Sequence, residues 1–217
     1  MGAEVHEAVE SDDERRAWWL RLPAVLIGPQ PVFAALRDDS PEAASARQEQ
    51  MLALVLLSGV AGVLLTSVAG RLYDDPVFDG LLVAVWAFIG GGFYGAAVYW
   101  GGGALLYAAL QALGSQGSYR RARHVVALAS VPLALSLLVY WPVRIAVYGG
   151  DLFRSGGSDG GRGGTVFAAI GYAFSAWAVA LLVTGVRSVH GWTWARSAAA
   201  VGAAATIPAL LVLATKL

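Results

Sequence analysis

The chain contains no cysteine, a single lysine and few charged residues. Of its 217 residues, 14% are charged and 57% are hydrophobic, whereas about a quarter of the residues in a soluble domain are charged. The lack of cysteine excludes disulfides, thiol nucleophiles and cysteine-ligated metals. The formal net charge is zero, and no nucleic-acid partner is expected. The composition predicts a protein whose solvent is lipid.

Motifs for catalysis are also missing. The sequence has no H-E-x-x-H metal pair, no G-x-S-x-G elbow and no carboxylate inside a long apolar run. Asp74, Asp75 and Asp79 offer oxygen ligands for a hard cation, but their spacing matches no calcium loop, and a solvated turn is the preferred interpretation. We therefore expect no enzyme, no metal site and no cofactor. A proton-coupled carrier is disfavoured as well, whereas a passive pore is not.

Five apolar stretches are long enough to cross a bilayer, which takes about 20 helical residues. They lie near residues 51–70, 81–112, 125–148, 166–186 and 195–214. The second is longer than one span needs and too short for two, so a single tilted or kinked helix is expected. The sequence thus predicts an all-α polytopic membrane protein, with a five-helix membrane domain over residues 51–217.

The arginines predict the orientation of these spans, since basic residues stay on the cytoplasmic side of short loops. One side of the predicted spans holds Arg15, Arg16, Arg21, Arg37, Arg47, Arg120, Arg121, Arg123, Arg187 and Arg196. The other side holds only Arg71, Arg154, Arg162 and Lys216. The N-terminus is therefore predicted inside and the C-terminus outside. The excess of arginine over lysine is typical of a GC-rich bacterial genome, so we expect a bacterial inner membrane.

The residues before the first span form two predicted segments. Residues 1–14 are rich in acids and are expected to be a disordered tail. Residues 15–50 mix arginine, tryptophan and leucine, which suits a cytoplasmic segment lying in the headgroup region of an anionic leaflet. A segment that simply covers the ends of the spans is an equal alternative.

Seven glycines lie in the stretch "GGGFYGAAVYWGGG", residues 90–103. The stretch has no lysine, serine or threonine, which disfavours a phosphate-binding loop. On a helix, Gly91, Gly95 and Gly102 share one stripe, along which a second helix can approach to backbone contact. Local unwinding of the glycine triplets around a ligand is the alternative. Helix packing is the preferred interpretation.

Four arginines are candidate contacts for lipid or anions. Arg120, Arg121 and Arg123, in "SYRRARH", follow the second span directly and can receive an anionic headgroup or an acidic partner, although a purely topological role is preferred. Arg144 is the only charge in its apolar run. A charge at such a position is a functional candidate, but its side chain can also reach the interface among nearby aromatic residues, and this second interpretation is preferred.

Two prolines are expected to bend the third span. Pro132 and Pro142 each remove a helical hydrogen bond and free a backbone carbonyl. This span is therefore the predicted mobile helix.

Three segments together resemble the bacterial branch of the Yip family of five-span membrane proteins. They are "GPQPVFAAL", "LGSQGSYRRARHVVALASVPLAL" and "GVRSVHGWTWARSAAAV", and the resemblance covers roughly residues 28–214. It implies five membrane helices and a cytoplasmic N-terminus. Eukaryotic relatives are linked to Rab-type GTPases. Their D-L-Y-G-P motif is matched only in part by "LIGP" in this chain, so GTPase binding is not expected from the resemblance.

These observations lead to two functional hypotheses. The first is a non-enzymatic membrane scaffold or organiser that acts through helix packing, with membrane lipids and either a membrane-protein partner or a second copy of itself as partners. The second is a passive channel or carrier for a small or lipidic solute.

Overall fold

The computed structural model describes residues 18–214. The acidic tail predicted for residues 1–14, together with Arg15, Arg16 and Lys216, lies outside the described residues. Helices and short connections account for the described part of the chain, which contains no strand. The predicted all-α class is confirmed for this part.

The helices follow one another with few residues between them. They are α1 (Trp18–Ile27), α2 (Pro29–Ala34), α3 (Pro41–Leu64), α4 (Gly80–Ala97), α5 (Gly103–Ala112), α6 (Tyr119–Ala129), α7 (Val131–Tyr148), α8 (Arg162–His190) and α9 (Trp194–Ala214). Short 3₁₀ turns cover Ala35–Arg37, Ala69–Asp74, Gly149–Phe153 and Ser158–Gly160.

Local sequence explains where several of these helices begin and end. Ser40 caps α3, because its hydroxyl accepts the Ala43 N–H at 3.3 Å, and Pro41 follows at the first helical position. Asp79 caps α4 by accepting the Leu82 N–H at 2.8 Å. After α5 the chain reverses through Gly114, whose φ of +82° is readily adopted only by glycine.

The second predicted span is one continuous helical rod. α4 passes through a five-residue π-helical turn, Val98–Gly102, directly into α5. Such turns widen a helix without breaking it. The first glycine triplet is ordinary α-helix and the second lies at the π turn, so neither triplet is unwound into a loop.

The two prolines of the third span occupy different kinds of position. Pro132 lies in the first turn of α7, just after the break at Ser130, where a proline costs no helical hydrogen bond. Pro142 lies inside α7. Their roles as bends remain a prediction, and the position of Pro132 favours a helix start over a bend.

Within the described residues, three helical segments are long and apolar enough to cross a membrane: Gly80–Ala112, Tyr119–Phe153 and Arg162–His190. They contain the second, third and fourth predicted spans. The first predicted span falls mainly in α3, which ends at Leu64, and the fifth coincides with α9. Five spans and the orientation of the termini remain predictions.

The chain divides into two compact units. The first unit contains residues 18–53, 100–129 and 181–214, and the second contains residues 54–99 and 130–180. In the first unit α5 packs against α6 and α9. Gly185 of α8 lies so close to Phe33 that a Cβ atom there would be 2.7 Å from its ring.

In the second unit the connections before α4 and after α7 share a small core. Leu72, Val83, Leu152 and Phe153 are buried together, and the ring of Tyr73 meets that of Phe153 edge-on at 5.6 Å. The packing places the 3₁₀ turn Ala69–Asp74 against the turn that follows α7.

Candidate functional site

A cluster of charged and polar residues in the first unit surrounds two buried side chains, Arg47 and His124. We call it the polar cluster, and it consists of Asp38, Asp39, Arg47, Ser118, Arg120 and His124. Two sequence-local features supply it. The turn before α3 carries both aspartates, and Asp38 accepts the Ser40 N–H there at 3.0 Å. Ser118 directly precedes α6, and Arg120 lies in its first turn.

Asp39 is the centre of the polar cluster. Its carboxylate accepts from Arg120 Nε at 2.9 Å, from the Ser118 hydroxyl, and from Arg47 Nη2 at 3.5 Å. Burial is the largest single influence on the pKa of Asp39 and raises it, but hydrogen bonds from Ser118 and Arg120 favour the ionised form. Together with the nearby arginine charges they leave this pKa below its ordinary value.

Arg47 joins the cluster to α6. Its side chain is 1% exposed, and its guanidinium donates to the Asp38 carbonyl at 2.9 Å and to His124 Nδ1 at 3.0 Å. An imidazole nitrogen that accepts a hydrogen bond carries no proton, so this geometry assigns His124 the neutral form with its proton on Nε2. A neutral histidine avoids adding a further positive charge beside Arg47.

The three arginines of "SYRRARH" all contact the chain itself. Arg120 pairs with Asp39, and Arg121 Nη2 donates to the Arg37 carbonyl at 2.9 Å. The guanidinium of Arg123 lies 4.7 Å from the centre of the Tyr119 ring. The structure thus brings these side chains into the packing of the first unit, and their predicted contact with lipid or anions stays a prediction.

The glycines of α4 face α3 inside the second unit. A Cβ atom at Gly91 would lie 2.6 Å from Val60 Cα, and one at Gly95 would overlap the Val55 carbonyl and lie 3.3 Å from Gly59 Cα. Gly59 itself leaves no room, since its Cβ would be 2.7 Å from Gly95 N. We call this contact, formed by Gly59, Gly91 and Gly95, the glycine seam. Gly102 belongs to the first unit, where it is half-buried at the end of the π turn.

Arg144 is paired with a carboxylate, and its reach to the membrane interface stays a prediction. Its Nη2 lies 3.0 Å from Asp159 Oδ2, and its guanidinium lies 5.3 Å from the Trp141 ring and 5.9 Å from the Tyr140 ring. Its side chain is 17% exposed. Aromatic neighbours of the kind expected are present, but the carboxylate partner from the glycine-rich connection was not foreseen.

The described residues contain no group of three or more potential metal-ligating side chains. The three aspartates considered as cation ligands instead accept hydrogen bonds from protein groups. Asp74 accepts the backbone N–H of Ser155 at 2.9 Å, Asp75 that of Val77 at 3.0 Å, and Asp79 caps α4. Hydrogen bonds from Ser155 lower the pKa of Asp74.

Sequence reasoning missed several of these residues. Gly59 carries no special pattern beyond being a small residue in an apolar run. Asp39 and Arg47 are separated from Ser118 and His124 by about 80 residues. Only the three-dimensional fold brings them together.

The long apolar helices place the chain in the class of helical membrane proteins. A family model described as the Yip1 domain matches residues 18–216. The chain therefore belongs to the Yip1 domain family, whose members are generally non-enzymatic membrane proteins. Searches of curated proteins and of solved structures found no match.

Proposed function

We propose that the protein is a non-enzymatic scaffold or organiser of a bacterial inner membrane. The observation that carries this proposal is the exposed apolar face of α4. The glycine seam holds one side of α4 against α3, while Phe93, Ile89 and Leu82 on the other side are 75%, 54% and 36% exposed. A helix that packs closely on one side and exposes large apolar side chains on the other is suited to bind another membrane helix.

The glycine seam itself is not the proposed partner surface. Gly91 and Gly95 are already occupied by α3 of the same chain. Replacing them with leucine would separate α3 from α4, and any loss of a partner would then be a consequence of misfolding. The test must therefore address the opposite face.

We also propose five spans and a cytoplasmic N-terminus; contacts within each unit support the first three crossings, and the distribution of the arginines supports the orientation. In the first unit, Asp39 before α3 contacts Ser118 and Arg120 after α5. In the second unit, Asp74 after α3 contacts Ser155 after α7. These pairings alternate along the chain as they would if α3, the α4–α5 rod and α6–α7 each crossed the membrane.

Photocrosslinking from α4 tests the scaffold proposal. A benzophenone amino acid at Phe93 should give a discrete protein adduct in intact cells, either with a partner or with a second copy. Tyr172 on α8 is the matched control, because it is an aromatic residue with the same 75% exposure. Lipid adducts alone from Phe93, indistinguishable from those of Tyr172, would contradict the scaffold proposal.

A second candidate, a carrier for a lipidic solute, is favoured by a cavity in the second unit. The cavity has a volume of about 580 Å³ and almost entirely apolar walls, among them Leu56, Ala84, Leu137 and Phe153. Such a lining suits an acyl chain and disfavours an ion. Ala84→Trp, which fills the cavity, tests this candidate. Lipid flux in liposomes should fall if the cavity is the path and stay unchanged if it is not.

A further inference from the structure

A polar cleft of about 450 Å³ lies in the first unit, between α2 and the C-terminal end of α8. Gln30 of α2, Arg37, and Arg187 and Ser188 of α8 supply its polar groups, and Trp192 lies beside them. We call it the arginine cleft. Its volume falls within the usual range for sites that hold small molecules.

The arginine cleft has two positive charges and no acidic residue in its lining. Within the part of the chain that the structure describes, neither Arg37 nor Arg187 has a carboxylate oxygen within 4.0 Å. Arg37 donates to the Ser188 carbonyl through Nε at 3.1 Å and Nη2 at 2.5 Å. This contact also offsets the partial negative charge at the end of α8, which would otherwise repel an anion.

Two polar atoms at the cleft are buried without a hydrogen-bond partner. They are Nε of Arg187 and Oγ of Ser188. A buried donor left unpaired is costly, and a bound water, ion or ligand can complete its hydrogen bonds. The guanidinium of Arg187 is held 4.7 Å from the Trp194 ring, which restricts its orientation. The wall of the cleft therefore combines two guanidinium groups with unpartnered polar atoms, a composition that suits a group rich in acceptor oxygens.

We propose that the arginine cleft binds a phosphate group, and that the group belongs to the headgroup of an anionic phospholipid. Arginine matches the geometry of phosphate oxygens through paired hydrogen bonds. Arg187 lies near the end of the apolar segment Arg162–His190, at the depth where headgroups meet a spanning helix. A soluble phosphate compound has the same chemistry, and the experiment separates the two sources.

The test is a binding titration of the full-length protein in an uncharged detergent. The probes are dihexanoyl phosphatidylglycerol, dihexanoyl phosphatidylcholine, and glycerol 3-phosphate as the soluble compound. We expect the wild type to prefer phosphatidylglycerol over both others, and Arg187→Gln to weaken that binding by about tenfold, the usual effect of losing a charge-assisted hydrogen bond. Arg71→Gln is the matched control, because Arg71 is exposed, belongs to the second unit and has no role in the cleft.

Each outcome decides the proposal. Equal loss in Arg187→Gln and Arg71→Gln, or no selective binding by the wild type, overturns it. Tight binding of glycerol 3-phosphate that equals the lipid keeps the phosphate site and overturns the lipid source. Should Arg187→Gln fail to fold, Gln30→Leu replaces an exposed side chain of the same cleft, and unchanged binding there overturns the proposal as well.

Discussion

At the scale of single residues, Asp39 is the acid that joins two arginines in the first unit. It is 10% exposed and pairs with both Arg47 and Arg120. Asp39→Asn removes that charge and leaves the buried Arg47 guanidinium without a carboxylate. Breaking a buried ion pair from one side costs about 3 kcal/mol or more, so the thermal unfolding temperature in detergent should fall by several degrees.

The control for this substitution is Glu42→Gln. Glu42 is an exposed acid in the first turn of α3 and makes none of the ion pairs of the described residues. Exposed substitutions of this kind usually change stability by less than about 0.5 kcal/mol. Equal destabilisation by both variants would mean that the polar cluster is not a stabilising element.

Asp39 also predicts how stability depends on pH. Its pKa in the folded protein lies below the ordinary value of about 3.9. Its contribution is therefore complete above that value and is lost as the pH falls through the folded pKa. Between about pH 5 and pH 3, the unfolding free energy of the wild type should fall more steeply than that of Asp39→Asn, which cannot titrate. Asp38 and Asp74, whose pKa values are also lowered, titrate in both proteins, so the difference between the two curves reports Asp39. Parallel curves of unfolding free energy against pH would contradict the prediction.

At the scale of elements, the glycine seam decides how closely α3 and α4 approach. The atoms that a Cβ at Gly95 would meet are backbone atoms, which cannot rotate away. Gly95→Ala should therefore push the helices apart and destabilise the protein by about 1–3 kcal/mol, as overpacking usually does.

Gly101→Ala is the matched control, because a Cβ at Gly101 would have no neighbour within 4 Å. The control should be neutral or slightly stabilising, since alanine favours helix over glycine. Thermal unfolding in detergent compares the two, and similar melting temperatures for both variants would show that the seam tolerates a methyl group.

The connection between α7 and α8 is held by two carboxylates. Asp159 pairs with Arg144, and Asp74 accepts hydrogen bonds from Ser155. Asp159→Asn removes the first tie, and we expect faster cleavage by trypsin after the exposed Arg154. Asp151→Asn is the control, because Asp151 belongs to the same connection and its carboxylate makes none of the described ion pairs. Equal cleavage rates in both variants would mean that the ion pair does not order the connection.

At the scale of the whole molecule, the sequence was informative where apolar runs alone determine the structure. Three predicted spans fall inside long apolar helices, because a helix buried in lipid needs little beyond length and hydrophobicity. Pairings between distant residues were not predictable in the same way. Arg144 pairs with Asp159, fifteen positions later in a glycine-rich connection, and Arg47 donates a hydrogen bond to His124, 77 positions away. These contacts depend on how helices pack, which single-residue patterns do not encode.

A whole-molecule labelling experiment distinguishes a topology of five spans from one of three. Because the chain has no cysteine, single cysteines introduced at the exposed positions Glu42, Gln116 and Ser158 can be labelled without background. With five spans and the N-terminus inside, an impermeant maleimide should label only Ser158→Cys in intact cells, and the other two only after permeabilisation.

The alternative has three spans, Gly80–Ala112, Tyr119–Phe153 and Arg162–His190, and the same N-terminus. In that case Gln116→Cys is labelled in intact cells and Ser158→Cys only after permeabilisation. Labelling of Gln116→Cys but not of Glu42→Cys in intact cells would therefore exclude the five-span topology, and it would also contradict the pairing of Asp39 with Ser118 on one side of the membrane.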